Sequence, residues 1–165
     1  MIVRHKGGSL AVLLIVVGVG CAAEAVAAKP DFDSFRDQVY VERESGPLGL
    51  DLYVPRGDGP FPAVIVVHGG AWASGTRAQL SGFAQAMANM GYVAATISYR
   101  LAPQHPFPAQ VHDCQAAVRW LRSNADEFKI DPEHIGGFGY PAGGHLVAML
   151  GAMDDEDLRE DGLPE

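Results

Sequence analysis

The sequence predicts an α/β fold, in which helices pack against a mostly parallel sheet. Residues 63–67 form a continuous apolar, mostly β-branched run, which is typical of a strand buried on both faces of a parallel sheet. A stretch with helical apolar spacing follows, and then a second apolar run over 92–98. The composition is globular, since 48% of the 165 residues are hydrophobic and 19% are charged.

The segment 1–28 is predicted to be a signal peptide. Arg4 and Lys6 form a basic start, an uncharged apolar run follows, and residues 25–27 provide a small-residue cleavage pattern. The apolar run is shorter than the ~20 residues that a membrane-spanning helix needs. We therefore expect an exported protein, periplasmic or extracellular. Cys21 at the end of the run leaves open the alternative of a lipoprotein.

Residues 29–38 are polar and are expected to form an unstructured lead-in to a domain over 39–153. Two strands are predicted next, over 39–42 and 48–54, because apolar residues alternate along the second one. A Ser-Gly-Pro turn joins them. The domain therefore begins with a β-hairpin that leads through a proline-rich loop into the buried strand.

Helices are predicted to alternate with the remaining strands. A first helix over 79–90 ends at Gly91, and its position between two apolar strands makes a βαβ unit with parallel strands. A second helix covers about 109–124. The last strand is expected over 135–140 and the last helix over 142–153.

The chain ends in an acidic tail over 154–165, which contains seven acids in twelve residues. Acids after a helix C-terminus oppose the helix dipole, so we expect this segment to fray rather than extend the helix. The formal net charge is −8, which excludes a phosphate-neutralising surface for nucleic acid. We expect small molecules or proteins as partners and no nucleic acid.

Three motifs follow the predicted strands. Residues 68–72 read HGGAW, residues 99–103 read YRLAP with HPFP behind them, and residues 137–145 read GFGYPAGGH. Together they resemble the α/β-hydrolase fold, in particular the bacterial esterases and lipases related to hormone-sensitive lipase and to acetyl-xylan or feruloyl esterases. The resemblance covers about residues 39–153 and implies an α/β-hydrolase domain truncated after the nucleophile-elbow helix.

The resemblance also implies site residues. In such families the HGG loop and the residue after the nucleophile supply backbone N–H groups to an oxyanion hole, which here are those of Gly69, Gly70 and Ala142. His68 and Trp72 correspond to residues that shape the loop. Intact relatives attack an ester carbonyl with serine and use no metal or organic cofactor, so none is expected here.

The elbow departs from the family pattern at its centre, because Pro141 stands where the nucleophilic serine is expected. Proline has no hydroxyl and no N–H, and its ring holds φ in the ordinary right-handed range, whereas an elbow nucleophile adopts a strained conformation. The chemistry and the backbone geometry of the elbow are both expected to be lost.

The acid and the histidine of a catalytic triad are expected to be absent as well. In this fold both follow the nucleophile in the chain. The sequence after Pro141 runs only from 142 to 165, and the one histidine within it is His145. Asp113 precedes the elbow, where the family has a structural acid. The histidines show no zinc-ligand spacing, so no metal site is expected.

These features predict an exported carboxylic ester hydrolase relative that is inactive as written. Its expected ligand is a small-molecule ester, and an acylated carbohydrate is one candidate. Two alternatives stay open: a non-catalytic ligand-binding protein that keeps the HGG loop, and a relative of arylformamidase-like amide hydrolases. The strand that ends at Tyr140 is expected to leave an exposed sheet edge through which the chain self-associates.

Overall fold

The structure is a computed structural model that describes residues 31–153. The expected signal peptide, Cys21 and the acidic tail lie outside the described residues. Within them the strands are β1 (Phe32–Val41), β2 (Leu48–Pro55), β3 (Phe61–Val67), β4 (Val93–Ile97) and β5 (Ile130–Gly139). The helices are α1 (Ser81–Asn89), α2 (Ala109–Ser123), α3 (Ala125–Phe128) and α4 (Ala142–Ala152), with a short 3₁₀ turn (Arg77–Leu80) before α1.

The described strands form a single sheet in the order β1-β2-β4-β3-β5. β3 pairs in parallel with both β4 and β5, whereas β2 is antiparallel to β1 and β4. The predicted hairpin and the parallel β3-α1-β4 unit are therefore confirmed. The sheet is mixed, because the hairpin adds antiparallel strands to one side of a parallel centre.

Side chains from β3 enter two cores, one on each face of the sheet. Ile65 and Val67 pack in the larger core with residues of α2 and α4. Val64 and Val66 pack in the smaller core with Ala84 and Ala88 of α1. Burial on both faces confirms the prediction that residues 63–67 form an internal strand of a parallel sheet. It also holds both ends of β3 in place within the domain.

The expected unstructured lead-in is wrong for residues 32–38, which belong to β1. The strand pairs with β2 from its first residue, where Phe32 lies opposite Pro55 and its ring packs edge-on against Tyr53. A bulge between Phe35 and Gln38 interrupts the pairing. The bulge breaks the two-residue alternation, and the outer side chains are polar because β1 is an edge strand, so the sequence lacks the usual strand pattern.

Two further differences lie before the elbow. β5 begins at Ile130 rather than at residue 135, with an irregular register in its first residues. The short helix α3 was not predicted. Within residues 31–153, β5 pairs on one side only, with β3, and no helix there is long and apolar enough to cross a membrane.

Candidate functional site

The candidate site lies where β3 and β5 end side by side. The loop after β3 begins at His68, and β5 continues through Tyr140 and Pro141 into α4. These segments are in close contact, since a Cβ on Gly69 would collide with the backbone oxygen of Tyr140 and with the ring of Pro141. The structure thus brings together two motifs that lie far apart along the chain, at 68–72 and 137–145.

Glycines allow α4 to approach the strands this closely. A Cβ on Gly143 would collide with the carbonyl oxygen of Val67, and one on Gly139 would collide with the backbone of Gly143. Both obstacles are main-chain atoms, which cannot move aside as a flexible side chain would. The elbow therefore keeps the glycine-dependent packing of a strand-to-helix turn.

Pro141 occupies the first position of this turn in an ordinary conformation. Its φ of −75° and ψ of −38° are right-handed helical, close to the φ that the proline ring imposes. Pro141 is exposed and is the N-cap residue of α4. The position thus presents a pyrrolidine ring to solvent, with neither a hydroxyl group nor a strained backbone.

The loop after β3 makes a left-handed turn that the sequence did not reveal. Gly70, Ala71 and Trp72 have φ values of 108°, 51° and 61°. The turn is closed by the amides of Ala73 and Ser74, which both donate to the carbonyl of Gly70 at 3.0 Å. Left-handed backbone is costly for residues with a Cβ, and such positions cluster at ligand sites.

Backbone donors are left free on both sides of the site. Within residues 31–153, the amides of 69–72 and those of 142–144 make no hydrogen bond to a protein acceptor. The second group is the first turn of α4, where a helix lacks internal acceptors and its dipole favours negative charge. The predicted oxyanion donors Gly69, Gly70 and Ala142 are among these groups.

His68 lies beneath the loop rather than in the open site. It is 1% exposed, and its imidazole stacks on the ring of Tyr99 with centroids 4.2 Å apart. Its Nδ1 donates to the carbonyl of Gly69 at 2.8 Å. Burial lowers the pKa of His68, although the hydrogen bond to Gly69 opposes this. A neutral, buried imidazole suits the loop-shaping role predicted for it.

Both segments of the site carry an exposed aromatic side chain. Trp72 is 37% exposed and packs edge-on against His145, with centroids 5.3 Å apart, while Tyr140 is 70% exposed. The sequence predicted Trp72 at this site but did not predict Tyr140 or His145 there. The available signal for Tyr140 and His145 was that they flank Pro141 in the third motif.

No acid–base pair faces Pro141 within the described residues. His68 and His145 belong to the two segments that form the site, and neither has a carboxylate among its partners there. Asp113 is fully buried and binds Arg43 and Arg100, so its carboxylate is occupied in an ion-pair cluster.

The described part of the chain also contains no group of three or more histidine, cysteine or acidic side chains arranged to hold a metal ion. The site offers backbone N–H groups in segments that also carry exposed aromatic side chains. Such an arrangement can bind a carbonyl or carboxylate oxygen.

Comparison with known proteins identifies the family. The BD-FAE family model matches residues 50–163. The chain is 40% identical to esterase LipC of Mycobacterium tuberculosis over 108 residues, which are 64% of this chain and 27% of LipC. It is 36% identical to an arylesterase of Saccharolobus solfataricus over 114 residues, or 68% of this chain and 37% of the arylesterase.

Solved structures of esterases support the same family assignment. A thermophilic esterase of Thermogutta terrifontis superposes with a TM-score of 0.70 at 30% identity, covering 82% of this chain and 48% of that one. A truncated carbohydrate esterase from gut microbiota gives a TM-score of 0.69 at 31% identity, covering 78% and 46%. The chain thus spans half or less of the length of these relatives. It belongs to the BD-FAE family of α/β-hydrolase esterases.

Proposed function

We propose that this chain binds small carboxylic esters at the free backbone amides of the HGG loop and the elbow and does not hydrolyse them at position 141. The observation that carries the proposal is Pro141 at the site where relatives need a nucleophile. An acyl-enzyme forms when a hydroxyl oxygen attacks the ester carbonyl and a base takes its proton. The pyrrolidine ring of Pro141 has no such oxygen.

The expected deficit is large. Removing the nucleophile of a serine hydrolase lowers turnover by roughly 10⁶-fold and leaves only the contribution of binding and the oxyanion hole. An arylformamidase-like amide hydrolase needs the same attack on a carbonyl, so Pro141 counts equally against that alternative.

The free amides favour the binding alternative. Residues 69–72 and 142–144 keep N–H donors in two segments that lie in contact, and each segment carries an exposed aromatic side chain, Trp72 or Tyr140. Donors of this kind need no nucleophile to hold a carbonyl oxygen. Relatives named as esterase, arylesterase and carbohydrate esterase support a small ester as ligand, including an acylated carbohydrate.

Two further proposals concern the chain as a whole. We propose that it is exported, on the basis of the basic and apolar residues at its start, and that the mature form begins near residue 28 or 29. Intact mass of secreted material tests this. We also propose self-association through the edge of β5 that no strand of residues 31–153 covers, which gel filtration and sedimentation would detect as dimers or larger species.

The main proposal is tested by combining turnover, labelling and binding. The purified chain should release no p-nitrophenol from p-nitrophenyl acetate above the rate of heat-denatured protein, and it should resist a fluorophosphonate probe. Phenyl acetate, added as a ligand, should shift the NMR amide signals of 69–72 and 142–144. Turnover with an adduct at this site would contradict the loss of hydrolysis, and absence of shifts would contradict binding.

A matched pair of glycine variants localises the binding. Gly70 and Gly46 have φ values of 108° and 107°, but a Cβ on Gly70 would collide with Ser74, whereas a Cβ on Gly46 meets nothing within 4 Å. Gly70→Ala should abolish the shifts caused by phenyl acetate. Gly46→Ala carries the same kind of backbone strain in the turn between β1 and β2, outside the two segments that form the site, and should keep them.

A further inference from the structure

We infer that Tyr99 is a positioning residue, which orients the amides of the HGG loop toward the candidate site. The inference rests on the proposed function, because it assumes that these amides hold the ester carbonyl. The inference extends the proposed function, because it assigns the orientation of these amides to a side chain from another segment. The argument depends on two carbonyl groups, those of His68 and Gly69.

The first carbonyl is held by Tyr99 itself. The hydroxyl of Tyr99 donates to the carbonyl oxygen of His68 at 3.0 Å. In a trans peptide the C=O and the following N–H point in opposite directions. The hydrogen bond to the His68 carbonyl therefore turns the N–H of Gly69 away from Tyr99.

The second carbonyl is held through the imidazole that stacks on Tyr99. His68 Nδ1 donates to the Gly69 carbonyl, which also lies 3.5 Å from the Tyr99 hydroxyl. Gly75 closes this side, since a Cβ there would come within 2.6 Å of the Gly69 carbonyl oxygen. The N–H of Gly70 must then point the other way, out of the packed interior of the loop.

The far end of the loop is held by the same segment. The amide of Ala102 donates to the carbonyl of Trp72 at 2.9 Å. Between these contacts, the Arg100 amide donates to Asp113 at 2.8 Å, which ties the segment to α2. Residues 99–102 therefore clamp the loop at its beginning and its end, with Tyr99 acting on the two peptides whose N–H groups are the predicted donors.

The test is the Tyr99→Phe variant, which keeps the ring on His68 and removes only the hydroxyl. Residual dipolar couplings report the direction of each N–H bond and require no ligand. In the variant, the couplings of Gly69 and Gly70 should change, while those of Val64 and Val66 in β3 stay as in the wild-type chain. Unchanged couplings at both glycines would overturn the inference.

Affinity provides a second readout. Tyr99→Phe should weaken phenyl acetate binding about fivefold, as loss of one ordinary hydrogen bond predicts. Tyr92→Phe is the matched control, because Tyr92 is 36% exposed just before β4 and makes no hydrogen bond or ring contact with the loop among the described residues. It should change neither the couplings nor the affinity.

A second variant tests for misfolding and distinguishes the hydrogen bond to the His68 carbonyl from the one to the Gly69 carbonyl. His68→Phe keeps a ring against Tyr99 and removes the donor to Gly69, so it should alter the coupling of Gly70 more than that of Gly69. Equal effects of both variants on the β3 couplings would mean general distortion and would contradict a positioning role. If the wild-type chain binds no phenyl acetate, the proposed function fails, while the couplings still decide the role of Tyr99.

Discussion

The two segments that meet at the site match the family motifs to different degrees. The loop after β3 has the glycines of the HGG motif, a left-handed turn and a buried histidine. The elbow after β5 retains the glycines that let α4 pack on β3, yet its central position is Pro141. The difference shows that the packing of an elbow and its chemistry depend on different residues, so one can be lost while the other remains.

The largest loss of stability is expected from removing the buried carboxylate of Asp113, which ties the segment that supports the loop to α2. Asp113 is 0% exposed, and it binds Arg43 and Arg100 together with the Arg100 amide. Asp113→Ala would remove the buried carboxylate from an ion-pair cluster in which the side chains of Arg43 and Arg100 are only 9% and 16% exposed, which costs about 3–5 kcal/mol. Urea unfolding measures this.

The matched control for Asp113 is an exposed ion pair. Asp33 binds Arg56 at 2.8 Å, with its side chain 58% exposed. Asp33→Ala should change the free energy of unfolding by about 0–1 kcal/mol. A similar small loss for Asp113→Ala would show that the loop does not depend on the buried cluster.

The contact between loop and elbow is tested by a glycine of α4. Gly143→Ala places a Cβ against the Val67 carbonyl and should destabilise the chain by about 1–3 kcal/mol or more, since backbone must move. Gly151→Ala in the same helix meets nothing within 4 Å and should be neutral or stabilising by up to about 1 kcal/mol. Equal melting temperatures for the two variants would contradict the close packing.

A smaller effect should appear as a pH dependence of the loop. Burial lowers the pKa of His68 below 6.5, so the unfolded chain binds this proton more readily than the folded one. The contribution of His68 to stability should be complete above pH 6.5 and decrease as the pH falls below it. Melting temperatures between pH 8 and 5 measure the slope.

Two histidine variants show which group causes the melting temperature to fall with decreasing pH. His68→Phe should flatten the decrease of melting temperature below pH 6.5. His134→Gln removes an imidazole that is 72% exposed within β5 and pairs with Asp131 at 2.8 Å, and it should leave the part of the slope that depends on His68 in place. A slope that survives His68→Phe unchanged would assign the pH dependence to other groups.

The smallest effect is expected from restoring the hydroxyl alone. Pro141→Ser should give no measurable turnover of p-nitrophenyl acetate in this chain, because an unassisted hydroxyl is a weak nucleophile. Neither His68 nor His145 is held by a carboxylate within the described residues. Mass spectrometry after fluorophosphonate treatment would reveal the contrary result, an adduct on residue 141 formed as fast as in an intact esterase.

Much of the fold and the site could be predicted because the signals are local. The β-branched run over 63–67 and the helical spacing after it indicated the βαβ unit. The motifs at 68–72 and 137–145 indicated the two halves of the site, which the structure brings into contact. By contrast, the first half of β1 was missed, because a bulge and an edge position remove the alternation that marks a strand.

The sequence by itself determined that position 141 lacks a nucleophile. Absence of a hydroxyl and a φ fixed by the pyrrolidine ring are properties of proline in any fold. Only the tertiary structure decided how the donors are held, because each contact joins distant segments. Ala71 and Trp72 adopt left-handed backbone against their own preference, Tyr99 reaches back 31 residues to the His68 carbonyl, and Asp113 receives Arg43 from 70 residues away. Nothing in a local pattern specifies these pairings, which form only when the strands and α2 have packed.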